Sequence, residues 1–130
     1  MSSNTKAFEE KMKSTVEHLN RELAAVRAGR ANPAVLDKVS VDYYGAPTPI
    51  QQVASVAVSE EVSKLGEDAK VATRNIRREA MDKAKAMKKT GELTEDTQKT
   101  MEEDVQKLTD KYIKIIDAAV EEKQKEIMSV

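Results

Sequence analysis

The chain has no cysteine and no tryptophan, and a single histidine, His18. Without cysteine there is no disulfide frame, no thiolate nucleophile and no Cys-ligated metal site, a usage that fits a reducing compartment. No apolar run approaches the roughly 20 residues needed to cross a bilayer. The opening stretch MSSNTKAFEE has neither an apolar signal core nor the Arg-rich, acid-poor pattern of a transit peptide. Cytoplasmic location with no membrane association is therefore expected. A Gly-rich phosphate loop is missing, as are HExxH and GxSxG. His18 has no Ser or Cys partner arranged around it by any motif, so it reads as a surface residue. The expectation is a protein that is not an enzyme and needs no cofactor or metal. Net charge is −1 over 130 residues, so anion binding has to come from a local patch.

Aromatics make up 3% of the chain and charged residues 35%. That balance suits long solvated helices or disorder, and periodicity separates the two. In a first helix, from about Thr5 to Ala28, the residues Phe8, Met12, Val16, Leu19, Leu23 and Val26 recur at one helical face. Gly29 is placed to cap it and Pro33 to block continuation. A second helix is predicted from about Glu60 to Lys89, with Ser59 as N-cap and Gly91 as stop. Its stripe reads Val62, Leu65, Ala69, Ala72, Ile76, Ala80 and Met87. A third runs from about Glu95 to Met128 behind Thr94, with the stripe Met101, Val105, Leu108, Tyr112, Ile115, Ala119 and Glu126, and Ile116 and Ile127 beside it. At about 1.5 Å per residue it is roughly 50 Å long. One such stripe per helix needs partners, and three helices bury each other's stripes as an elongated bundle.

Between the first two helices the pattern changes to period two. Val39, Val41 and Tyr43 alternate, a Gly-Pro-Pro stretch from Gly45 to Pro49 follows, and a second β-rich run reaches Val58. This predicts a two-stranded hairpin, marginal by itself. The expected fold is mainly α, an elongated antiparallel three-helix bundle with a β-hairpin inserted between helices 1 and 2. The bundle takes residues 1–31 and 59–130, and the insert takes 32–58. An insert with little to cover it leaves an exposed sheet edge.

The near-neutral total hides an uneven distribution. Residues 60–91 carry nine basic and six acidic side chains, whereas 92–130 carry six and eleven. Lys70, Arg74, Arg77, Arg78, Lys85 and Lys88 fall on one side of helix 2, opposite Ile76 and interrupted by Met81. Arg27 and Arg30, three residues apart, share a face near the end of helix 1. Cations near a helix C-terminus interact favourably with its dipole, and a basic stripe can pair with the acidic third helix. Arginine also suits planar, bidentate contact with phosphate. No aromatic interleaves with the stripe, so phosphate and shape recognition is expected over base reading.

Four blocks, RAGRANP (27–33), YYGAPTP (43–49), RNIRR (74–78) and VQKLTDKYI (105–113), occur in that order. Together they resemble the ribosome recycling factor family over nearly the whole chain. The resemblance implies a three-helix bundle with a β/α domain inserted between helices 1 and 2. It implies binding to the large ribosomal subunit and, with elongation factor G and GTP hydrolysis, disassembly of post-termination ribosomes from messenger and transfer RNA. Arg27, Arg30, Arg74, Arg77 and Arg78 match the family's rRNA-contacting arginines, and Lys70 and Lys85 extend that face. The bundle-to-insert connections, Arg30, Ala31, Asn32 and Pro33 on one side and Val58, Ser59 and Glu60 on the other, become the hinge. The chain departs from the family in two places. Several dozen residues of the inserted domain are missing between Val58 and Glu61, and Met81 stands where the family usually has asparagine. A shortened insert implies impaired splitting and a doubtful contact with elongation factor G. The chain is expected to be a monomer. The other reading is a helical-bundle interaction protein whose basic face meets an acidic protein partner, or a decoy that occupies the ribosome without recycling it.

Overall fold

A computed structural model describes residues 3–26, 40–43 and 45–128. Helix α1 spans Ser3–Ala25. All six apolar positions of its predicted stripe are buried, from Phe8 to Val26. The helix ends earlier than Ala28. Val26 N–H donates to the Leu23 carbonyl at 3.1 Å, a tightened last turn that closes the helix while keeping the valine side chain in the core. Gly29, Pro33 and the bundle boundary at residue 31 lie outside the described residues.

Strands β1 (Ser40–Tyr43) and β2 (Ala46–Pro49) pair antiparallel, with Tyr43 opposite Ala46 and Ser40 opposite Pro49. Gly45 sits in the turn at φ +83, a conformation glycine adopts without steric cost. The hairpin is present but shorter than the sequence predicts. The Pro-Thr-Pro stretch is strand, not turn, and the second β-rich run is not strand at all. It opens helix α2, Ile50–Lys89. Pro49 favours extended backbone at the preceding Thr48, so the helix begins after it. Beyond Ile50, the i, i+4 pair Val58 and Val62 joins the bundle core, and that burial overrides the β preference of the valines. Ser59 is therefore inside a helix rather than capping one. The helix also runs unbroken through Val58, Ser59 and Glu60, where the sequence placed one of two hinge connections. The other, 30–33, lies outside the described residues.

Helix α3 spans Glu95–Met128, as its periodicity predicts. Thr94 caps it reciprocally with Thr97: Thr97 N–H donates to Thr94 Oγ1 at 3.2 Å, and Thr94 N–H donates to Thr97 Oγ1 at 2.7 Å. The α2–α3 turn is set by Gly91, at φ +85, which brings Leu93 N–H back to the Met87 carbonyl at 3.1 Å.

The three helices pack antiparallel in sequence order. Ser63, Gly66 and Lys70 of α2 meet Gln124, Val120 and Asp117 of α3. Lys11 of α1 meets Glu79 of α2 at 3.3 Å. The main core joins Met12, Val16, Leu19 and Leu23 to Val62, Ala69, Leu108, Tyr112, Ile116 and Ile127. A second cluster gathers Phe8, Ala80, Ala84, Met101 and Val105 towards the α2–α3 turn. On α3 the buried line passes through Ile116 and Ile127; Ile115, assigned to the stripe by spacing, is 38% exposed.

The buried line of α2 includes Gly66, Thr73 and Ala84, which the sequence stripe omits, while Leu65 and Ala72 are only half-buried. Thr73 Oγ1 donates to the Ala69 carbonyl at 2.9 Å, so its hydroxyl is satisfied in the core. Gly66 is required by close approach: a Cβ there meets Val120 Cγ2 at 2.5 Å. Gly66→Ala gains about 1 kcal/mol of helix propensity but forces a stiff β-branched side chain to move. We expect net destabilisation of about 1 kcal/mol. In a urea-denaturation double-mutant cycle, Val120→Ala in the same chain removes most of that clash. Independent, additive effects of the two changes would contradict the close approach.

Tyr112 and Lys70 predict the alkaline limit of stability. Burial, reinforced by the Glu9 carboxylate, raises the Tyr112 phenol above its ordinary 10.0. The hydrogen bond to Asp117 raises the Lys70 ammonium above 10.5. In both cases the unfolded chain releases its proton first as pH rises. Stability is thus full below these ordinary values and falls as pH climbs through the folded ones. Tyr112→Phe should shallow the decline in urea midpoint between about pH 9 and about pH 11. An unchanged decline in that variant would show the phenol is not involved.

Candidate nucleic-acid interface

The residues that α2 turns away from the core include most of its cations, and the six that spacing places in one stripe divide into two groups. Lys70 is drawn into the bundle wall, its side chain 19% exposed, with Nζ 2.5 Å from Asp117 and 3.4 Å from Glu67. Arg77 is half-buried, and its Nε donates to Gln106 Oε1 on α3 at 2.7 Å. Gln106 in turn donates to Asp110 at 3.0 Å. These two basic side chains connect α2 to the acidic third helix, the structural reading of the stripe. Deleting Arg77 therefore disturbs the α2–α3 seam as well as the surface charge.

Arg74, Arg78, Lys85 and Lys88 form the second group, and all are exposed. Arg78 Nη1 donates only to Asn75 Oδ1, at 3.4 Å. Among the described residues, no ion pair is formed by any of these four. An exposed guanidinium with no acid to satisfy it has its planar donor fork available to a ligand. The four recur along one face of one continuous helix, which makes them a rigid row. Met81 is half-buried against the second core cluster, so it borders this row without contributing a polar group. Arg27 and Arg30 lie outside the described residues.

Beside this row stand the exposed, uncharged Val71 and Asn75, and with them the exposed carboxylates Asp68 and Asp82. His18 sits elsewhere, in an open groove of about 460 Å³ between α1 and α2 that Asp68 and Ala72 also line. Its Nε2 is 3.0 Å from Glu22 Oε1, a surface pair within one helix.

Fold and face together define a class: a three-helix bundle with an appended hairpin and a row of exposed cations along its second helix. The family model described as ribosome recycling factor matches residues 19–61 and 58–128, and this chain belongs to that family. It is similar to the ribosome-recycling factor of Caldicellulosiruptor bescii, 43% identical over 184 aligned positions with all of both chains covered. The corresponding protein of Acetivibrio thermocellus is 42% identical over 179 positions, covering 96% of this chain and 98% of its own. A solution structure of the ribosome recycling factor superposes with a TM-score of 0.69 at 28% identity, covering 98% of this chain and 96% of that one. Models for the T. thermophilus ribosome recycling factor and the E. coli elongation factor G bound to the E. coli post-termination complex match with a TM-score of 0.61 at 29% identity, covering 95% and 96%.

The C. bescii alignment spans 184 positions and this chain has 130 residues, which leaves 54 positions with no counterpart here. The two segments matched by the family model meet at 58–61. That junction falls inside α2, about one turn long, with Val58 and Val62 both on the core side. The flanking sequences are thus joined in helical register.

Proposed function

We propose that this chain is a ribosome recycling factor that binds the large subunit of post-termination ribosomes through rRNA. The observation that carries this reading is the exposed row Arg74, Arg78, Lys85 and Lys88, none of them in an ion pair among the described residues, on a member of this family. Arg27 and Arg30 extend the row in the proposal, and Lys70 and Arg77 support it from the α2–α3 wall. The protein acts in the cytoplasm, as a monomer, by binding and not by catalysis of its own. Elongation factor G supplies the GTP hydrolysis. Residues 1–31 and 59–130, with Val58 packed on them, form the ribosome-binding part, and the rest of 32–58 is the shortened insert. Movement of that insert is assigned to the connection at residues 30–33.

The 54 missing positions favour a second element of the reading: large-subunit binding is retained while splitting is impaired, so the chain acts as a decoy when a full-length factor is present. Light scattering of post-termination ribosomes with elongation factor G and GTP tests this against the full-length C. bescii relative. Splitting is expected to be at least about ten-fold slower, a barrier higher by about 1.4 kcal/mol. Excess of this chain should also slow splitting by the relative. Splitting at the relative's own rate would refute the impairment, and failure to compete would refute the decoy.

A further inference from the structure

Proline has no N–H to give to a strand ladder, so its place in a strand fixes which way the backbone faces. In β2 the prolines are Pro47 and Pro49, opposite Asp42 and Ser40 of β1. Pairs along an antiparallel ladder alternate between those that exchange two bonds and those whose polar groups point outward. The exchanging pairs are therefore Val41 with Thr48 and Tyr43 with Ala46. Pro47 and Pro49 take the outward positions, so the outer edge of β2 has no N–H at either, and a further strand cannot add there. β1 is the opposite case. The backbone N–H and C=O groups of Ser40 and Asp42 point outward, and among the described residues no strand or other backbone group pairs with them. The sheet has one closed edge and one open edge.

An open edge is satisfied by one more strand, and a two-stranded hairpin is marginal without it. β1 itself fits that place. Set antiparallel to its own copy about a two-fold axis at Val41, Ser40 of each strand exchanges bonds with Asp42 of the other. Every outward group of β1 is then paired, and neither Asp42 carboxylate stands opposite its copy. An axis at Asp42 sets like charges face to face, which is destabilising. An axis at Ser40 leaves Asp42 without a partner within the strand. We propose that two copies of this chain associate through β1, forming a four-stranded sheet in the order β2-β1-β1-β2. Both outer edges of that sheet are proline-bearing β2 strands, so association stops at two copies and does not continue into a filament. A few backbone bonds hold the pair weakly, so pairing rises with concentration. It is a state of the free chain, and the chain is monomeric at the far lower concentrations of ribosome binding. The inference stands apart from the rRNA interface and uses none of its residues.

The chain has no cysteine, so a single introduced one reports on its own copy. Across the proposed axis the two Val41 positions form a pair without mutual bonds, their Cα atoms about 4.5 Å apart and within disulfide reach. The two Asp42 positions lie more than about 7 Å apart, beyond it. Under mild oxidation of concentrated protein, Val41→Cys should form a linked dimer at least about ten-fold faster than Ser40→Cys, Asp42→Cys or Ala46→Cys. Asp42→Pro in the Val41→Cys chain should abolish that advantage, because it deletes an outward N–H and leaves the bonds to β2 in place. Equal rates at all four positions, or fast linkage that Asp42→Pro does not slow, would overturn pairing through β1. Fastest linkage by Ser40→Cys would overturn the register. Size-exclusion chromatography with light scattering then tests the closed edge. The chain carrying Pro47→Ala and Pro49→Ala should assemble beyond two copies at concentrations where the parent does not. If it stops at the dimer, the prolines do not close β2, and the claim that they limit association fails.

Discussion

Replacing Arg74 and Arg78 together by glutamate should lower affinity for the large ribosomal subunit by about a hundred-fold or more, about 3 kcal/mol. Each arginine stands on the exposed side of α2 without an acidic partner among the described residues. Removing both takes away two phosphate-binding groups, and the new carboxylates repel the same phosphates. Both side chains lie outside the core, so helix content and melting temperature should stay near those of the parent. Arg77→Glu is the instructive contrast. Its guanidinium holds Gln106 across the α2–α3 seam at 2.7 Å, so that change should cost stability as well as binding. Pelleting with subunits, alongside thermal melts, separates the two effects. Parent-like pelleting of the double variant would mean that this face does not touch the ribosome.

Truncating Ile116 should cost about 2 to 5 kcal/mol, the range for a large aliphatic deleted from a packed core. The residue is 0% exposed within the main cluster that joins all three helices. Domains of this size are stable by only about 5 to 15 kcal/mol, so Ile116→Ala should melt far below the parent. Its neighbour supplies the control: Ile115 is 38% exposed, and Ile115→Ala should cost less than about 1 kcal/mol. Urea denaturation of the pair decides between two rotations of α3. Equal losses, or a larger loss at Ile115, would place the buried line where spacing alone puts it.

Those two isoleucines show where the sequence stops being legible. The α1 stripe reads without ambiguity because its apolar residues are large and separated by polar ones. On α3 two adjacent isoleucines compete for one face, and only the packing against α1 and α2 chooses between them. Helix α2 buries Gly66, Thr73 and Ala84, residues that carry little hydrophobic signal. They are inside because the large side chains of α1 and α3 fill the space they leave, a property of the neighbours. The valines of 50–58 look like strand when read locally, and become helix because Val58 continues the core line of Val62.

The site divides in the same way. Helical spacing alone puts Arg74, Arg78, Lys85 and Lys88 together, since residues on one face of one helix need no tertiary knowledge. It also groups Lys70 and Arg77 with them. What removes those two from the free surface is the register between α2 and α3, which brings Asp117 and Gln106 opposite. Cross-helix register is set by core packing along the whole length of both helices and is not written in any short motif.

The most direct test of the central claim is binding of the unmodified chain to purified large ribosomal subunits as salt is raised. A row of four cations predicts loss of affinity with a log–log slope of about −3. It also predicts that the Arg74→Glu, Arg78→Glu chain does not pellet under conditions where the parent does. No binding at low salt, or binding that salt leaves unchanged, would contradict a recycling factor held to rRNA by the cationic face of α2.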